Sequence, residues 1–138
     1  MESTIEKTLH HVLLLSRHLE KCNPRGAVVV MLMEIGVPTK CVGFEFLKKA
    51  IELQRKNPTR VLAKDIYMEI VLHYQQNSEG VVEQAIRDAI KAAWRHGSRT
   101  AWDWYFSYDG RAAVNKPTNS EFISRLAYIL EIWQECNT

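Results

Sequence analysis

No apolar run in this sequence is long enough to cross a bilayer. The longest strongly apolar stretch, Ala27 to Met33, falls far short of the ~20 residues a spanning helix requires. Cysteine is sparse and odd in number: Cys22, Cys41 and Cys136 stand at no recognisable spacing, which argues against a disulfide framework and fits free thiols in a reducing compartment. Excess charge is also lacking, since 18 Lys and Arg against 16 Asp and Glu leave +2, too little to attract nucleic acid through bulk charge. The N-terminus has neither a basic n-region nor a small-residue cleavage site, so no secretory signal is expected and a cytoplasmic location is. Neither internal repeat, low-complexity tract nor alternating strand pattern stands out.

What remains is an ordinary globular composition, 46% apolar and 25% charged over 138 residues, enough for one domain with its own core. Charge is uneven within it. Residues 23–60 carry +4 and residues 80–99 carry +2, whereas 61–79 and 100–138 carry −2 each, so basic character is local and suits one face.

Helical periodicity recurs along the chain. Ile5, Leu9, Val12, Ser16 and Leu19 mark an amphipathic helix over residues 3–20, ended by Asn23-Pro24 and set apart as an N-terminal segment, 1–22, ahead of a domain at 23–138. Gly26 to Ile35 reads as a second helix stopped by Gly36 and Pro38, with a strand as the alternative because of the β-branched run Val28–Val30. Phe46, Leu47, Ala50 and Ile51 carry a third up to Asn57-Pro58, with Lys48, Lys49, Arg55 and Lys56 between them. Val61, Leu62, Ile66, Ile70 and Val71 carry a fourth to about Tyr74. After Gln75-Gln76-Asn77, Ser78 is a candidate N-cap for a fifth, whose apolar face is Val82, Ala85, Ile86, Ala89, Ile90, Ala93 and Trp94, with Gly97 as its C-terminal cap. Trp102 to Tyr108 suggests a short aromatic helix closed by Asp109-Gly110, and Thr118-Asn-Ser-Glu121 is a capping box opening the last. The expected fold is all-α, a compact bundle of six or seven helices.

Two helices of about 15 residues joined by a three-residue polar turn suit a helix-turn-helix, although any helical bundle contains such hairpins. If the unit reads double-stranded DNA, the start of its second helix meets base edges in the major groove. Those residues are Asn77, Ser78, Gly80, Val81 and Gln84, with Gln84 suited to adenine and Val81 to a thymine methyl. Arg87, Lys91 and Arg95 then hold phosphates; their bland alternative is a solvated helix face. His18 and Cys22 have a spacing that suits two metal ligands, but nothing nearby completes a set of four, and no metal or cofactor is expected. His10, His11, His73 and His96 stand isolated. There is neither a Gly-rich phosphate loop nor a nucleophile paired with a base at a known spacing, so an enzyme with a small-molecule substrate is not expected.

Three segments taken together resemble one family. MEIGVPTKCVGFEFLKKAI (Met33 to Ile51), VEQAIRDAIKAAWRHG (Val82 to Gly97) and KPTNSEFI (Lys116 to Ile123) are similar to the opening, the recognition helix and the start of the last helix of the C-terminal effector domain of stage zero sporulation protein A. The resemblance runs over residues 26–133 and implies a helical DNA-binding domain of a transcription regulator, with a helix-turn-helix near its middle. Regulators of that family place a phosphate-accepting receiver domain ahead of this one. Here only about 25 residues precede the match, so receiver control is not expected within the chain. The family also carries arginines at the start of the recognition helix where this chain has Val81 and Gln84, with Gly80 just before them. Each bidentate base contact is worth about 1 to 3 kcal/mol, so the target site need not be the family's. The competing expectation is a protein-interaction module that keeps the fold, reads no bases and pairs with itself or with a related regulator.

Overall fold

The structure, a computed structural model, describes residues 23–59, 62–107 and 115–136. Six α-helices follow one another there: α1 (Pro24–Ile35), α2 (Val42–Lys56), α3 (Tyr67–Tyr74), α4 (Glu79–His96), α5 (Arg99–Phe106) and α6 (Asn119–Cys136). A π-helical stretch, Leu62–Ile66, runs directly into α3. The described residues include no strand, so the fold is all-α and Val28–Val30 is helical. None of their helices is long and apolar enough to cross a membrane. The expected helix over residues 3–20, the division after residue 22, the His18–Cys22 spacing and the turn at Asp109-Gly110 lie outside the described residues.

Local chemistry sets the helix ends. Asn23-Pro24, expected to stop a preceding helix, opens α1. The Asn23 side chain accepts from the Gly26 N–H at 2.8 Å, and Pro24 occupies the first helical position, where the N–H it lacks has no intrahelical partner anyway. Gly36 ends α1 in the left-handed region (φ 102°). The Val37 and Gly36 N–H groups there donate to the carbonyls of Leu32 and Met33, satisfying two otherwise open acceptors. At the other end of the chain the Thr118 hydroxyl accepts from the Glu121 N–H and the Glu121 carboxylate accepts from the Thr118 N–H, the reciprocal pair expected of a capping box.

α2 lies at the centre of the bundle. It packs against α6 and α4 most extensively and buries Phe46, Leu47, Ala50, Ile51 and Leu53. An aromatic group closes one end of the core: Trp94 meets Trp102 edge-on with centroids 5.0 Å apart, and Phe106 stacks on Phe122 at 5.2 Å. Trp102 is buried whole, and its indole N–H donates to the Ala93 carbonyl at 2.9 Å, so the ring is enclosed without an orphaned donor. The aromatic segment therefore serves packing, as its helical spacing suggests.

Two glycines allow other backbone to approach α4 closely. A β-carbon on Gly43 of α2 would sit 2.4 Å from the Ala85 carbonyl oxygen and 2.7 Å from the Ala89 β-carbon. One on Gly97, just past the end of α4, would sit 2.1 Å from the Ile35 carbonyl oxygen. Gly97 does end α4, but in extended conformation (φ −82°, ψ 177°); this position requires glycine for want of space, not for a left-handed turn.

Candidate nucleic-acid interface

The helix-turn-helix consists of α3, a turn over residues 75–78, and α4. Its first helix is shorter than the expected 15 residues. Only Tyr67–Tyr74 is α-helical, because the π-helical stretch before it adds a residue per turn and changes the direction in which side chains project. Gln75 closes α3 at φ 54° and ψ 48°, the one non-glycine residue with positive φ among those described, and the Gln76 N–H donates back to the Val71 carbonyl. Ser78 then caps α4, its hydroxyl oxygen accepting from the Val81 N–H at 3.3 Å.

α4 is about 27 Å long at 1.5 Å per residue. Val82, Ile86, Ala89, Ile90 and Ala93 form its buried face. At 3.6 residues per turn, Gly80, Val81, Gln84, Arg87, Asp88, Lys91 and Arg95 fall within a sector about 120° wide, directly opposite that face. All seven are exposed, as are Asn77 and Ser78 in the turn. Six of the eight residues expected to meet DNA therefore share one solvent-facing ridge of α4, with Asp88 among them, while Asn77 and Ser78 stand exposed in the turn that leads into it.

The ridge is not uniformly positive. Arg87 forms an ion pair with Glu83 one turn earlier and donates to Gln84 Oε1 at 3.4 Å, while Gln84 Nε2 donates to Asp88 Oδ1 at 2.8 Å. Lys91 and Arg95 make no ion pair among the described residues, which leaves the C-terminal half of the ridge as its unneutralised cationic part. Arg99, at the start of α5, lies over the Trp94 ring at 5.1 Å and pairs with Asp103.

Asn119, the first residue of α6, braces the unit. Its amide donates to the Tyr67 hydroxyl at 3.0 Å and to the Glu83 carbonyl at 3.1 Å, joining both helices of the helix-turn-helix to a third. Burial raises the Tyr67 phenol's ionisation above its usual range, against the opposing effect of that hydrogen bond. Beside it lies a shallow cleft of about 410 Å³ lined by Tyr67, Glu83, Arg87, Lys116 and the residues that open α6.

The basic residues of α2 have a different setting. Lys48 and Lys56 pair with Glu45 and Glu52 on their own helix at 3.2 and 3.3 Å. With Arg25, Lys49 and Arg55 they line a larger cleft, about 700 Å³, between α1, α2 and the end of α3. No group of three or more His, Cys, Asp and Glu among the described residues is placed to hold a metal ion.

The family model described as sporulation initiation factor Spo0A C terminal matches residues 28–130. The chain belongs to that family. The Spo0A C-terminal match begins inside α1 and ends inside α6, so it takes in the whole helix-turn-helix and both glycines that seat α4. All three segments on which the sequence resemblance rests lie within it. Three further residues of the Spo0A C-terminal unit hold or brace this region, Glu83 through Arg87, Asp88 through Gln84 and Asn119 through the Glu83 carbonyl, and none of them is among the site residues expected from the sequence. Their i to i+4 partners were readable in the sequence; the long-range reach of Asn119 was not.

Proposed function

We propose that this chain is the DNA-binding domain of a transcription regulator and lays α4 in the major groove of double-stranded DNA. The observation that carries the reading is the ridge of α4, where Gln84, Arg87, Lys91 and Arg95 stand exposed opposite a fully buried face. A helix held by its apolar side while its polar side projects can enter a groove about 12 Å wide. Asn77, Ser78, Gly80, Val81 and Gln84 then lie nearest the base edges, and Arg87, Lys91 and Arg95 follow the phosphates. Val81, 42% exposed, suits a thymine methyl, and Gln84 suits adenine. The arginines that the family resemblance places at the start of the recognition helix have no counterpart at Val81 and Gln84, and arginine is the commonest reader of guanine, so a different preferred sequence is expected.

The test is an anisotropy titration of the 138-residue chain on mixed-sequence duplexes at low salt. Binding that weakens steeply with added salt supports the reading, and none even at low ionic strength overturns it. Arg87→Ala combined with Lys91→Ala is expected to lower affinity by about tenfold.

A second reading, a protein-interaction module that pairs with itself or a related regulator, draws on one observation. Met68 and Leu72 stand one turn apart on α3, 40% and 71% exposed. Sedimentation of the chain without DNA distinguishes them: a dimer dispersed by Leu72→Ser favours the module.

A further inference from the structure

The exposed ridge of α4 carries one carboxylate, Asp88, and is flanked by another, the half-buried Glu83, and a surface built only to attract phosphate would have neither. Asp88 and Glu83 each hold a neighbour: Asp88 Oδ1 accepts from Gln84 Nε2 at 2.8 Å, Gln84 Oε1 accepts from Arg87 Nη1 at 3.4 Å, and Arg87 is tied to Glu83. This series decides which end of the Gln84 amide carries nitrogen. The NH₂ points along the helix toward Asp88 and the oxygen toward Arg87.

A primary amide offers two N–H donors and an oxygen with two lone pairs. Asp88 occupies one donor and Arg87 one lone pair, so one donor and one acceptor remain. Adenine presents their complement in the major groove, with N7 accepting and N6–H donating. Guanine presents two acceptors, N7 and O6, and satisfying both takes the two N–H groups of a single amide. With one of those committed to Asp88, Gln84 cannot serve guanine in that way, and its oxygen would face O6.

We infer that Asp88 is a specificity-determining positioning residue, which presets the Gln84 amide for adenine and removes its capacity to accept guanine. The inference rests on the DNA-binding reading and deepens it. Asp88 contacts no base itself. Its charge opposes phosphate attraction, so its contribution is to selectivity at one base pair, and loss of the carboxylate frees the amide to turn about its terminal torsion.

The test selects the full chain's preferred duplexes from a random-sequence pool and repeats the selection with Gln84→Ala, which identifies the base pair that Gln84 reads. Competition anisotropy then compares duplexes with adenine or guanine there. Asp88→Ala is expected to lower the adenine-over-guanine ratio about five- to tenfold, with ratios at other positions unchanged. In the double variant with Gln84→Ala it should have no further effect on that ratio. Equal strengthening toward both duplexes would overturn the inference, because it would show a carboxylate that only repels phosphate. Failure of the unaltered chain to bind any duplex sinks the DNA reading and this with it, whereas binding with a ratio indifferent to Asp88 sinks this alone. Asp88 is exposed and alanine is the best helix former, so helical content by circular dichroism should not fall.

Discussion

Tyr105 ties α5 to α1 through its phenol, which donates to Glu34 Oε2 at 2.8 Å. Burial, then the Glu34 charge, then this hydrogen bond all favour the neutral phenol and push its ionisation far above the usual value of 10. Because the folded pKa is raised, the contribution to stability is complete below about pH 10 and is lost as pH rises beyond it. Each pH unit above 10 should therefore remove about 1.4 kcal/mol through this group alone. Tyr67 and Tyr74 shift in the same direction, also first through burial. Urea denaturation from pH 8 to 11 checks the sign. Tyr105→Phe should cost about 1 to 3 kcal/mol at neutral pH, where the bond to a carboxylate is lost, and should flatten the alkaline decline by about one proton's worth. Equal slopes for the two proteins would remove Tyr105 as the cause.

Helix α4 owes its position to close backbone approaches more than to its own propensity. The glycines at 43 and 97 touch it or its end where any side chain would meet carbonyl oxygen, at 2.4 and 2.1 Å. Neither neighbour is a flexible side-chain tip, so relief requires moving a helix. Gly97→Ala is expected to destabilise the domain by about 1 to 3 kcal/mol and to tilt the C-terminal half of α4, whereas Gly80→Ala, whose β-carbon would meet only the Ser78 hydroxyl oxygen at an ordinary 3.7 Å, should stabilise it by a few tenths to about 1 kcal/mol. Thermal unfolding of the two variants checks this, and a Gly97→Ala protein as stable as the original would show that the approach is loose. The same elements show what a sequence reveals. The apolar repeat from Val82 to Ala93 announces α4, and Thr118 with Glu121 announces α6, because each signal is contained within one turn or one face. The π-helical stretch is hidden: apolar residues at 62, 66 and 70 fit an α-helix equally well, and only packing sets the extra residue per turn. Asn23-Pro24 closes one helix as well as it opens another, and the chain beyond it decides. The ridge of α4 was legible from its polar spacing, while the seat that Gly43, Gly97 and Asn119 provide depends on contacts between distant segments.

For the molecule as a whole, a net charge of +2 says little, since what a duplex meets is the charge presented on one side. On the α4 ridge, Lys91 and Arg95 are unneutralised among the described residues, whereas the Arg87 charge is offset by Glu83. If all three follow phosphates, they should differ in how binding responds to salt. Lys91→Ala and Arg95→Ala should each lower the slope of log affinity against log salt by about 0.9, the yield of one phosphate neutralised on B-form DNA. Arg87→Ala should change that slope less but weaken binding at every salt concentration, because it leaves the Glu83 carboxylate facing the backbone alone. Glu83→Ala is the decisive variant: it frees the guanidinium, so it should strengthen binding at low salt and steepen the slope by up to about 0.9. Titrations of the four variants on one duplex between 50 and 200 mM salt, about the range over which such contacts dominate, separate these outcomes. A helix whose ridge faces away from the duplex would leave all four slopes alike, since charges farther than a Debye length of about 8 to 10 Å from the phosphates are screened from them.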